Sequence, residues 1–375
     1  MKRMKIVGLC VVLLAPLAAA VPARAAAPMP SANPDPTEPL KLQSGLHLTD
    51  IQVHDPWILV DKATHTYFLY TSASAPMTVE HRGGTLMYKS PDLITWQGPY
   101  TVFVCPDGSW ADPPQRAWAP EVHLYKGRYY LFTTLHNPDR PIPKRNLDTP
   151  RKLFMRSTII AVADSPEGPF KMMKLDAPIT PENFTVLDGT LFVEKGRPWM
   201  VYAHEWGQKG DGTMEALPLK DDLSAADGPP IHLFKASDAP WINERAVPDT
   251  RLANYVTDGP ELFRTKTGQL LMLWSSYESM PGNYESYVET VARSKSGELK
   301  GPWVQLPPLV RNDSGHGMLF HSFDGKLLLV VLQPFQDSRS KIYEVEDMGN
   351  RLRIVKYRAD LSGPPLGPQK GRVRN

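Results

Sequence analysis

The chain is 375 residues long, 42% hydrophobic and 22% charged, so a sizeable core can form and global disorder is excluded. Lys plus Arg is 42 and Asp plus Glu 40, a net charge of +2, which gives no long-range attraction to nucleic acid or to an anionic membrane. Two cysteines exclude a disulfide scaffold and a Cys-rich zinc module, and 38 prolines favour turns and strand edges over helices. The composition points to an all-β protein.

The first element in chain order is an address. Lys2, Arg3 and Lys5 precede an apolar run from Ile6 to Ala20, and Ala23-Arg24-Ala25-Ala26-Ala27 has the small residues of a cleavage site. These are the three parts of a secretory signal peptide, expected over residues 1–26, and the run is too short for a membrane anchor. Leu9 before Cys10 argues against a lipoprotein. Cleavage would leave Cys105 alone and deliver a protein without a disulfide to the periplasm or the outside of the cell. Residues 27–40 carry the Pro-rich run PMPSANPDPTEP and read as a stiff tether.

Five similar hairpins follow over residues 41–350. Each opens on a polar residue beside Pro or Gly, continues as a short apolar strand, turns, and returns as a second apolar strand. The openings are His54-Asp55-Pro56, Ala119-Pro120-Glu121, Leu187-Asp188-Gly189, Asp258-Gly259-Pro260 and Gly315-His316-Gly317. Taking Asp55, Glu121, Asp188, Asp258 and His316 as anchors, the separations are 66, 67, 70 and 58 residues. Leu86-Met87-Tyr88, Ile160-Ala161-Val162-Ala163 and Thr290-Val291-Ala292-Arg293 read as third strands. A Gly-Pro pair follows each of them, at 98–99, 168–169 and 301–302, and introduces a fourth strand. Five four-stranded units in radial array make a five-bladed β-propeller with antiparallel blades. Residues 351–375 read as a closing strand and a loose tail.

In a propeller the innermost strands all start near the axis on one face. The five anchors are therefore expected around one pocket. Crowded carboxylates raise one another's pKa, so one acid can stay protonated beside another that is ionised, as glycoside hydrolysis requires. Trp57, Trp118 and Trp206 are candidate stacking surfaces for a sugar ring, with Trp110 and Trp241 nearby in sequence.

The five openings, Trp118-Ala119-Pro120-Glu121-Val122-His123 and Leu187-Asp188-Gly189-Thr190 among them, resemble glycoside hydrolase family 43 over residues 50–333. The resemblance implies a secreted, inverting enzyme that removes arabinose, xylose or related sugars from plant polysaccharides. It implies Asp55 as general base and Asp188 as the helper that tunes the acid. The family's acid is a Glu beside Gly-Pro, and this chain has Asp258 there, a side chain one methylene, roughly 1.5 Å, shorter. Glu205, expected at the pocket rim, is the alternative acid; Glu261 has the wrong parity along its strand. Glu121 is expected in the sugar subsite. His316 is expected at the axis, against substrate or as a ligand of a structural calcium or other cation, with no cofactor required for catalysis. The substitution of Glu by Asp keeps open a catalytically silent glycan-binding propeller. The expected partner is carbohydrate, acting on a monomer. Loops 137–156 and 207–213 would decide between exo and endo action.

Overall fold

The protein is described by a computed structural model over residues 38–143, 153–243, 255–280 and 284–373. The expected signal peptide and residues 27–37 of the tether lie outside these residues. Strand β1 (Gln43–Leu46) leads into blade 1, which comprises β2 (Trp57–Asp61), β3 (Thr66–Ala73), β4 (Gly84–Ser90) and β5 (Trp96–Val104). Blade 2 is β6 (Trp118–Tyr125), β7 (Arg128–Pro141), β8 (Phe154–Ala163) and β9 (Lys171–Met172). Blade 3 is β10 (Val186–Glu194), β11 (Arg197–His204), β12 (Thr213–Pro218) and β13 (Ile231–Lys235). Blade 4 is β14 (Asp258–Arg264), β15 (Leu270–Met280), β16 (Tyr284–Ser294) and β17 (Trp303–Gln305). Blade 5 is β18 (Gly315–His321), β19 (Leu327–Gln333), β20 (Arg339–Asp347) and β21 (Leu352–Tyr357).

Each blade is an antiparallel meander in chain order, and the architecture is a five-bladed β-propeller. Strand β1 adds to the outer edge of blade 1, and β22 (Arg372–Val373) pairs with β16. The closing strand read from the sequence is β21, the outer strand of blade 5. The Gly-Pro pairs at 98–99, 168–169 and 301–302 are all cis.

The core lies between blades. Phe132, Ile160, Met200 and Tyr202 join blades 2 and 3; Val201, Met214, Met272 and Trp274 join blades 3 and 4; Leu271, Leu273, Leu329 and Val331 join blades 4 and 5. These side chains are essentially inaccessible to solvent, and truncating one of them to Ala costs about 2–5 kcal/mol. The ring closes where blade 5 meets blade 1. There the Val53 N–H donates to the Ser338 carbonyl (3.1 Å), the Phe323 N–H donates to the Tyr67 hydroxyl oxygen (2.7 Å), and His65 stacks on Phe323 at 3.9 Å.

Candidate active site

The innermost strands of blades 2 to 5 slip by a residue near their starts, between Trp118 and Glu121, Leu187 and Thr190, Asp258 and Glu261, and Gly315 and Met318. One residue at each slip takes a left-handed backbone. These are Ala119 (φ 44°), Asp188 (53°), Gly259 (49°) and His316 (48°), and Asp55 (57°) is their counterpart just before β2. The innermost strands adjoin one another around the axis, so these five form a ring. A left-handed φ is costly for a residue with a Cβ, and the same conformation recurs in every blade.

The ring corrects two of the expected anchors. In blade 2 the ring position is Ala119, and Glu121 lies two residues further along, on the far side. Glu121 is buried, its Oε2 is 3.0 Å from His123 Nε2, and it does not line the large cavity. In blade 4 the ring residue is Gly259, and Asp258 sits one step nearer the mouth. A Cβ at 259 would come within 2.8 Å of the His316 ring, so glycine lets the imidazole pack across the axis.

Above the ring is a cavity of about 400 Å³ lined by His54, Asp55, Arg116, Trp118, Arg156, Leu187, Asp188, Glu205, Trp206, Val256, Asp258, Tyr277, His316 and Phe335. It brings together Asp55, Asp188, Asp258 and His316 as the sequence predicts. His316 Nδ1 is 3.1 Å from Asp55 Oδ1, and His54 Nε2 is 3.8 Å from the same oxygen. The Tyr287 hydroxyl donates to Asp258 Oδ2 (2.7 Å), and the Gly259 N–H donates to Asp188 Oδ2 (3.3 Å). One ligand atom each from Asp188, Asp258 and His316 falls within 4.8 Å of the others.

The charges divide by partner. Burial alone would raise the Asp55 pKa, but the nearby charges of His316, His54 and Arg116 outweigh it and hold Asp55 well below the usual carboxylate range. Asp188 goes the other way: burial, then the charge and hydrogen bond of Asp258, push it well above that range. Burial would lower His316, yet Asp55, Asp188 and Asp258 together raise it well above the ordinary imidazole value. Near neutrality the site therefore sets an ionised Asp55 against an imidazolium, beside an Asp188 whose surroundings favour the protonated form.

Asp188, Asp258 and His316 are a group that could hold a cation among the described residues. Ca²⁺ takes six to eight oxygen ligands, and the cluster offers two carboxylates and an imidazole, so water would have to fill the rest of such a shell. The void just below the ring, lined by Glu121 and His316 among others, is only about 10 Å³, room for one water and not for a hydrated ion.

Glu205 reaches the cavity wall but not the rim. It is 1% exposed, directly before the short helix α1 (Trp206–Lys209), and its Oε1 is 3.1 Å from Nη1 of the equally buried Arg156. The guanidinium in turn lies 5.3 Å from the Trp118 ring centroid and 4.7 Å from that of Phe154. Trp118 and Trp206 line the cavity as expected. Trp57 does not: it points below the ring, and its Nε1–H donates to the Val122 carbonyl (3.0 Å). Trp110 is core, and Trp241 packs against Trp274, its Nε1–H donating to Leu306 O. Glu261, set aside on parity, is indeed off the cavity and accepts from the Leu319 N–H (2.9 Å). The sequence reading missed Arg116, Arg156, Tyr277, Tyr287 and Phe335. Arginine or tyrosine in a strand has no spacing signal; only the two-residue step from Arg116 to Trp118 hints at a role.

A five-bladed propeller with an acid-lined cavity at the head of its axis, together with the family match below, makes the protein a glycosidase. The model described as Glycosyl hydrolases family 43 matches residues 49–360, and the chain belongs to that family. An endo-arabinase from Bacteroides thetaiotaomicron is 34% identical, with a TM-score of 0.69 over 82% of this chain and 99% of that one. An endo-1,4-beta-xylanase from the same organism (20% identical, TM-score 0.60, 82% and 95% covered) and an alpha-L-arabinofuranosidase from Lactobacillus brevis (17%, 0.61, 80% and 93%) share the fold. No curated protein sequence matches the chain.

Proposed function

We propose that the protein is an exported, inverting glycosidase that cleaves arabinose-containing plant polysaccharide, with Asp55 as general base and Asp258 as general acid. The observation that carries this reading is the gathering of Asp55, Asp188 and Asp258 on one cavity floor in two different protonation environments. The 34% identity to an endo-arabinase favours arabinan over xylan as substrate. Export rests on residues 1–26, and the working form is a monomer without a required cofactor.

The chemistry follows from the charges. Asp55, acceptor-only while ionised, takes a proton from a water as that water's oxygen attacks the anomeric carbon. Asp258 gives its proton to the glycosidic oxygen on the opposite face, the bond to that oxygen breaks, and the leaving sugar departs as an alcohol. Asp188, which burial and Asp258 hold toward its protonated form, lies beside the donor, and the Tyr287 hydroxyl fixes Asp258 Oδ2. His316 neutralises Asp55 and orients it. Trp118 and Trp206 offer the sugar ring apolar faces. Glu205, tied as a carboxylate to Arg156, shapes the wall.

Proton NMR of the first sugar released from linear α-1,5-arabinan tests the reading. An initial β-anomer is expected. An initial α-anomer would overturn inversion, and turnover of xylan alone would overturn the substrate. Exhaustive chelation is expected to leave kcat unchanged.

A further inference from the structure

The five ring residues are followed by two kinds of residue. Proline follows Asp55, Ala119 and Gly259, whereas glycine follows Asp188 and His316. Proline fixes its own φ and brings no N–H. Glycine fixes nothing and leaves a buried N–H that needs an acceptor. The preceding blade supplies those acceptors. Thr134 and Thr158, directly paired on β7 and β8, accept from the Asp188 N–H (3.0 Å) and the Gly189 N–H (2.9 Å).

Blade 4 has the matching pair at the same register: Ser275 on β15 opposite Glu289 on β16. Ser275 Oγ accepts from the His316 N–H (2.7 Å). Glu289 Oε2 accepts from the Gly317 N–H (2.7 Å) and from the Ser275 hydroxyl (3.0 Å). Both side chains are fully buried. Blades 1 and 5 precede the proline steps at Ala119-Pro120 and Asp55-Pro56; there Ser72, opposite Thr85, accepts from Arg116 (2.9 Å) and not from the next blade's backbone, while Thr85 and Ser340 have no hydrogen-bond partner. The Gly315-His316-Gly317 motif fits close packing in which the clamp takes part beside the Tyr287 ring at 315 and Val331 at 317. A Cβ at 315 would lie 2.8 Å from Ser275 Oγ, and a Cβ at 317 would lie 3.0 Å from Glu289 Oε2.

We propose that Glu289, acting through Ser275 and the backbone of residues 316 and 317, is a positioning residue for hydrolysis: it fixes the left-handed His316 so that the imidazole meets Asp55. The proposal rests on the reading of Asp55 as the base. Glu289 is the only carboxylate in either clamp, and its length lets one oxygen hold both partners. Burial pushes its pKa up to about 8, against the two hydrogen bonds it accepts, so a neutral amide is expected to serve in its place.

The test compares Glu289→Gln, Glu289→Leu, Ser275→Ala and Asp55→Asn by kcat and KM on linear arabinan, with circular dichroism to check the fold. Glu289→Leu is expected to lose about 10²-fold in kcat with KM little changed. Glu289→Gln is expected to stay within a fewfold of the native enzyme, and Ser275→Ala to fall between them. Full activity in Glu289→Leu, or equal loss in Gln and Leu, would overturn the clamp. If Glu289→Leu does not fold, Ser275→Ala carries the same decision, and undiminished kcat there counts against the proposal. An active Asp55→Asn would instead remove the reading on which the proposal rests, which separates the two failures.

Discussion

Two sets of largely buried acids lie along the propeller axis, on either side of the ring, with Asp55 and Asp258 part-exposed to the cavity. Asp55, Asp188 and Asp258 face the large cavity; Glu121 and Glu261, at matching register in blades 2 and 4, lie beyond it. Both sets are largely withdrawn from solvent, so burial does not separate them. What differs is the neighbours. Above the ring, His316, His54 and Arg116 supply positive charge that outweighs burial and keeps Asp55 ionised. Below it, Glu121 has His123 and Glu261 has a backbone N–H, burial prevails, and both pKa values are raised. An acid at the axis becomes a base for chemistry only where cations converge on it.

The largest expected effect is at Asp55. Asp55→Asn should lower kcat by about 10⁴-fold with the fold intact, as circular dichroism and initial rates on arabinan would show. Breaking the Arg156–Glu205 pair comes next and acts on stability. Glu205→Gln removes the charge paired with the buried Arg156 and should cost about 3–5 kcal/mol, read from denaturant unfolding. A large loss of kcat without that loss of stability would put Glu205 in the chemistry. Glu121→Gln should be nearly silent, within about threefold of native kcat, because a group that burial already disfavours as a carboxylate loses little as an amide.

Stability against pH sharpens the same contrast. Burial pushes the Glu289 pKa up to about 8, above the ordinary carboxylate range, so the native state keeps a proton that the unfolded chain has released. Between that range and the raised value stability should fall as pH rises. Glu289→Gln should flatten the fall in Tm between about pH 5 and pH 8; an unchanged slope would mean that burial does not hold its proton.

The propeller was legible in the sequence because its period is carried by hairpins, whose apolar strands and glycine turns depend on local residues. The ring was only partly legible. Asp55, Asp188 and His316 are at the ring itself, and Asp258 is one residue before it, nearer the mouth. Glu121 misled because a polar, ionisable side chain marks the opening of each blade in the sequence, whereas the element that recurs between blades is a left-handed backbone, filled in blade 2 by Ala119. Trp57 and Trp110 misled for a related reason: indole serves a sugar face and a core equally well, and only the strand's path decides. Arg116, Arg156 and the Ser275–Glu289 clamp act across blades, at sequence separations that no local pattern records.

The most direct test of the account is the leaving-group dependence of Asp258→Asn beside Glu205→Gln, using aryl arabinofuranosides of graded phenol acidity and an alkyl arabinofuranoside. If Asp258 is the proton donor, its amide variant should hydrolyse the most activated aryl substrate at near-native rate and lose about 10²–10⁴-fold on the alkyl one, while Glu205→Gln follows the native slope. The reverse pattern, a steep slope in Glu205→Gln and a native slope in Asp258→Asn, would contradict it.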